Sequence, residues 1–162
     1  MSFDLIAHQM TLNHFVLQRN VRDVSHEESL RRPDAGGNCI NWVVGHLVSA
    51  RNSALGVLDA EPVFPAERTA PYERKQSGDL DASTAVPLEE LLAAFSRAQE
   101  TIVNGLKRLD PERASSPALF SPTNNPNETV GTLLAGLAFH EAYHAGQTGV
   151  LRRVLGKPGA LA

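Results

Sequence analysis

The stretch "FHEAYHAGQ", residues 139–147, holds the side chains with the most chemical capacity in this chain. His140 and His144 are four positions apart, a spacing that on a helix places both imidazoles on one face within reach of a single metal ion. Projected at ~100° per residue, both fall within the apolar stripe of Leu133, Leu137 and Leu151, so they point inward. A buried imidazole needs partners for its nitrogens, and two that protonate side by side repel each other. A shared cation removes both difficulties. The competing reading is a pair of core histidines satisfied by hydrogen bonds.

H-E-x-x-H is also the helix signature of zinc proteases, whose third ligand lies downstream of the motif. Here the residues after His144 read "AGQTGVLRRVLGKPGALA", with no His, Asp or Glu. The protease reading fails there, and a third ligand has to come from upstream. His46, in "NWVVGHLVSARN", lies at the edge of an apolar stripe beside Val43 and Ala50 and is the best candidate. His14 projects onto an inner stripe between Met10 and Leu17 and is the rival, as a fourth ligand, the wall of a substrate pocket or a satisfied core histidine. His8 and His26 read as surface residues.

Around these imidazoles, Glu141 is the candidate catalytic group, because a carboxylate at that place can act as a general base; a salt bridge or a histidine-orienting role is the alternative. Gln147 shares the histidine face and is expected either to bind substrate or to hold a histidine tautomer. Tyr143 and Trp42 read first as packing residues and Asn41 as structural. Arg51 projects toward the apolar side of its segment, which calls for a carboxylate partner or an anionic ligand. Cys39, the single cysteine, excludes an intrachain disulfide and cysteine-rich metal sites. It falls in a first helical turn, where the positive helix end could depress its pKa, and it reads as a bystander thiol.

Four amphipathic segments must position these groups. The first runs from about residue 2 to 24, with Phe3, Ile6, Met10, Leu17 and Val21 in its stripe. The second starts near Asn38 as N-cap and carries Ile40, Val43, Val44, Leu47, Ala54, Leu55 and Leu58. The third begins around Pro87 and ends before Pro111, and the last spans roughly 128 to 155, closed by Gly156. No segment alternates as a strand does. The expected fold is all-α, a single domain over 1–162 built as a four-helix bundle. Residues 25–37 suit an antiparallel link, whereas 60–86, with Pro62, Pro65, Pro71 and Gly78, are long enough to return along a helix. The order is therefore up-down-down-up, with a long crossover between the second and third helices. Residues 110–127 read as a surface loop, with closure over one end of the bundle as the alternative.

Composition narrows the function classes. A formal net charge of −3 across 162 residues leaves no basic footprint for nucleic acid. No apolar run approaches the ~20 residues that cross a bilayer, so no membrane partner is expected. The start, "MSFDLIAHQM", lacks a basic region and a long apolar region, so a cytoplasmic location is expected.

Taken together, "NWVVGHL" followed by "SAR" and the late "HEAYHAGQ" resemble the DinB-like (DinB/YfiT) superfamily of metal-binding four-helix bundles. The resemblance implies that His46, His140 and His144 bind one divalent metal ion, nickel or zinc, with positions open for water or substrate. It also implies a homodimer, for which Leu12 and Phe15 offer apolar surface. Relatives of this kind include enzymes that add a low-molecular-weight thiol to an electrophile, and that is the leading expectation here, with the metal favouring the thiolate of the cosubstrate. A hydrolase acting on a small-molecule substrate through metal-activated water is the second reading, and a non-catalytic metal-binding or stress-related interaction protein the third.

Overall fold

The computed structural model describes residues 3–73, 80 and 82–161. Four long helices carry the architecture: α1 (Asp4–Val21), α3 (Ile40–Val57), α5 (Leu88–Arg108) and α7 (Val130–Val154). Between them lie α2 (His26–Ser29), α4 (Ala66–Thr69) with a 3₁₀ turn at Ala70–Tyr72, and α6 (Pro111–Ser115). The described residues form no strand, only an isolated bridge between Pro117 and Thr129. The chain is all-α, as expected. Ser2, where the first helix was expected to begin, and Gly78 lie outside the described residues.

Local chemistry explains the helix ends. The second long helix is capped by Cys39, whose Sγ accepts from the Trp42 N–H, rather than by the expected Asn38. Burial also pushes the Cys39 thiol up, so the predicted depression by the helix end is outweighed by loss of solvent. Pro87 begins α5 without a side-chain cap, and His26 fills that role by accepting from the Leu88 N–H at 3.2 Å. His26 is thus a half-buried cap, not the surface residue expected. At the start of α7, Thr129 and Thr132 form a reciprocal capping box, and Gly156 follows the helix at φ +79, a conformation glycine adopts without strain.

Each long helix packs on two others, α1 and α3 both against α5 and α7. Asn13 donates to Ala138 O and Asn20 to Ala145 O, so α1 and α7 run in the same direction. Asn41 donates to Val86 O, while Arg51 donates to Phe95 O, which gives α3 and α5 a common direction too. This register is compatible with the up-down-down-up bundle. The apolar core is in two parts. One gathers Leu17, Val43, Leu47, Leu91, Phe95 and Leu151; the other gathers Met10, Leu55, Ile102, Leu106, Leu133 and Leu134. Arg51 and Glu141 are buried between these two levels of the sequence.

Candidate metal centre

α3 and α7 bring His46, His140 and His144 together, with one ligand-capable atom from each lying within 4.8 Å of the others. The three rings are mutually edge-on, at interplanar angles of 71°, 77° and 71° and centroid separations of 4.6–5.1 Å. His14 is not part of this group. The Nε2 atoms of His46 and His140 are 3.0 Å apart. Two imidazole nitrogens bound tetrahedrally to zinc lie about 3.3 Å apart, so the spacing fits a shared ion.

The outer partners fix which nitrogen faces the centre. His46 Nδ1 lies 2.8 Å from Tyr72 O, and His144 Nδ1 lies 2.8 Å from Gln147 Oε1. Both partners are acceptors, so both Nδ1 atoms carry the proton and both Nε2 atoms present a lone pair. Burial, the largest influence, lowers the His144 pKa against the opposing hydrogen bond from Gln147. The neutral imidazole, the ligating form, is thereby favoured. Trp42 stacks on His46 at 4.8 Å and 17°, limiting rotation of that ring.

Tyr72 was not legible as a site residue. Its hydroxyl donates to Asn41 Oδ1 and accepts from the Val86 N–H, which anchors the 3₁₀ turn against α3. Gly45 makes the approach possible, because a Cβ there would stand 2.2 Å from the Tyr72 ring. The glycine before His46 is the sequence signal of this contact. The next residue, Glu73, accepts from Ser49 Oγ at 2.6 Å, one helical turn beyond His46 on α3.

The histidines open onto a cleft of about 660 Å³. Trp42, Ala50, Leu133 and Leu137 give it apolar walls, and Ser49, Ser53, Glu73 and Glu128 give it polar ones. Phe120, Pro122 and Thr123 also line it, so the connection read as a plain surface loop supplies one wall. Tyr143 stands at the cleft with 66% exposure, edge-on to His144.

Two expected site residues lie elsewhere, and a third takes the tautomer-holding one of its two expected roles. Glu141 is 2% exposed and both its oxygens accept from Arg51 at 2.8 Å, so this carboxylate belongs to the core and does not line the cleft. His14 stacks on Phe95 at 5.4 Å, and burial, aided by the Arg51 charge, lowers its pKa to about 4. Neither helical projection could reveal that Arg51 pairs with Glu141 or that Phe95 stacks on His14. Gln147 touches His144 rather than the cleft wall.

A family profile described as the DinB superfamily matches residues 9–148. No curated protein matches the sequence. A crystal structure described as that of a conserved protein of a locus from Enterococcus faecalis is similar over 97% of this chain and 99% of its own, with a TM-score of 0.78 and 16% identity. That likeness bears on the fold alone.

Proposed function

The chain belongs to the DinB superfamily, and from that premise we propose that it is a metal-dependent enzyme adding a low-molecular-weight thiol to an electrophilic small molecule. The observation that carries the reading is three imidazoles at ligand spacing on the wall of a substrate-sized cleft. His46, His140 and His144 would hold one zinc or nickel ion at the wall of an up-down-down-up bundle. Bound there, a divalent metal favours the thiolate of a cosubstrate at neutral pH.

The protein's own groups do the rest. Tyr72 O and Gln147 Oε1 hold the Nδ1 protons, keeping Nε2 turned to the centre. Trp42, Leu133 and Leu137 exclude water around the apolar part of the electrophile. Glu73, held by Ser49 at the cleft wall, would take the thiol proton as the thiolate forms and return it to the electrophile atom that receives the electron pair of the bond broken when sulfur attacks carbon. Glu141 is committed to Arg51, which removes the general base that a protease-like hydrolysis through H-E-x-x-H requires. A thiol, with a pKa near 8.5, needs far less help to ionise than water does.

Elemental mass spectrometry on untagged protein should find about one metal per chain in the wild type and none in His46→Ala, His140→Ala or His144→Ala. Electrophiles should then be screened with and without low-molecular-weight thiols. Substrate loss that consumes an equal amount of thiol supports transfer; loss without thiol consumption means hydrolysis instead.

A further inference from the structure

A charged layer crosses the core at the level of the metal centre. Arg51 and Glu141 side chains are 1% and 3% exposed, and they pair through two parallel hydrogen bonds of 2.8 Å. The same guanidinium donates to Phe95 O and, at 2.7 Å, to Gln99 Oε1, and it lies over the Phe95 ring. One side chain of α3 is therefore tied to α5 and α7 at once.

Stability alone does not account for this layer. A buried ion pair costs desolvation that its attraction only just offsets, and apolar residues of similar volume commonly serve a fold as well or better. Its position suggests what it adds. Arg51 is five residues beyond His46, and Glu141 immediately follows His140. A two-point carboxylate–guanidinium contact fixes orientation as well as distance. Holding Glu141 inward sets the rotation of α7 about its axis, and residues 140 and 144 turn with it.

We propose that the Arg51–Glu141 pair is a positioning device for the histidine centre, which sets α7 against α3 so that the three imidazoles stand at ligand spacing before a metal arrives. Neither residue touches the ion; both act through helix placement. The proposal rests on the metal-binding reading above, and its test separates the two.

The test measures Zn²⁺ affinity by competition with a chromophoric chelator, together with thermal unfolding of the metal-free protein. In the double variant Arg51→Met/Glu141→Leu the layer becomes apolar. The metal-free form should melt at or above the wild-type temperature, while Zn²⁺ binds at least tenfold more weakly. A purely structural pair would leave affinity unchanged in that stable variant, and that result overturns the proposal. Arg51→Lys keeps the charge and loses the two-point contact. It should bind Zn²⁺ several-fold more weakly, and if the double variant does not fold, unchanged affinity in Arg51→Lys overturns the proposal instead. Failure of the wild type to bind Zn²⁺ would sink the metal reading and the positioning role with it; tight wild-type binding with an indifferent double variant sinks the positioning role alone.

Discussion

His140 and Glu141 are neighbours in sequence, yet ~100° of helical rotation sends them into opposite kinds of environment. On one side of α7, His140 and His144 line a cleft, with His46 Nε2 3.0 Å from His140 Nε2. On the other, Glu141 is enclosed by the core with both oxygens engaged by Arg51. In the charged layer both Glu141 oxygens and the Arg51 guanidinium are engaged within the core. The histidine side brings one ligand-capable nitrogen from each of three rings within 4.8 Å of the others, which is what a shared metal ion requires. Reactive capacity here follows from whether polar groups pair with each other in the core or stand together at the wall of a cleft.

The contrast can be broken most strongly from the core side. Arg51→Met alone leaves the Glu141 charge buried without its partner, and should cost about 3–5 kcal/mol of stability in chemical denaturation. His140→Ala, on the cleft side, should alter the stability of the metal-free protein far less. Equal losses in the two variants would show that the two sides are not energetically distinct.

Gly45→Ala attacks the cleft side through its support. The new methyl would overlap the buried Tyr72 ring and push the 3₁₀ turn away from α3, costing about 3 kcal/mol. Because Tyr72 O then leaves His46 Nδ1, metal stoichiometry should fall as well. Retention of full metal content would mean that the carbonyl is dispensable.

His14 reports on the core under acid. Its folded pKa, about 4 through burial and then the Arg51 charge, lies below the ordinary value of 6.5. The unfolded chain therefore takes up this proton first, and the folded state loses stability as pH falls from about 6.5 toward 4. Allowing for its partial exposure, the contribution is about 2 kcal/mol. His14→Gln should flatten that part of the stability profile; an unchanged profile would assign the acid sensitivity to other groups.

The smallest effect expected is at Gln147. Gln147→Leu removes the acceptor that fixes the His144 tautomer and should weaken Zn²⁺ binding about tenfold. Chelator competition reads this directly, and no change would show that tautomer control at His144 matters little.

Much of this organisation was legible in the chain. The apolar spacing of α1, α3, α5 and α7 showed four long helices, and the i, i+4 spacing of His140 and His144 showed a shared face. The short helices α2, α4 and α6 were not legible, because four or five residues carry no periodicity. Arg51 announced itself as a charge on an apolar face, but its partner did not: Glu141 is 90 residues away.

By itself the sequence determined the helices, their inward stripes and the residue types available for a metal, because each follows from local spacing along one helix. Only the tertiary structure decided which polar groups meet. Tyr72 reaches His46 across 26 positions, Glu141 turns to Arg51 instead of the cleft, and Phe120, Pro122 and Thr123 help to wall the cavity. The physical reason is that a helical projection gives the direction of a side chain but not what stands opposite it, and a buried charge goes to the partner that satisfies it.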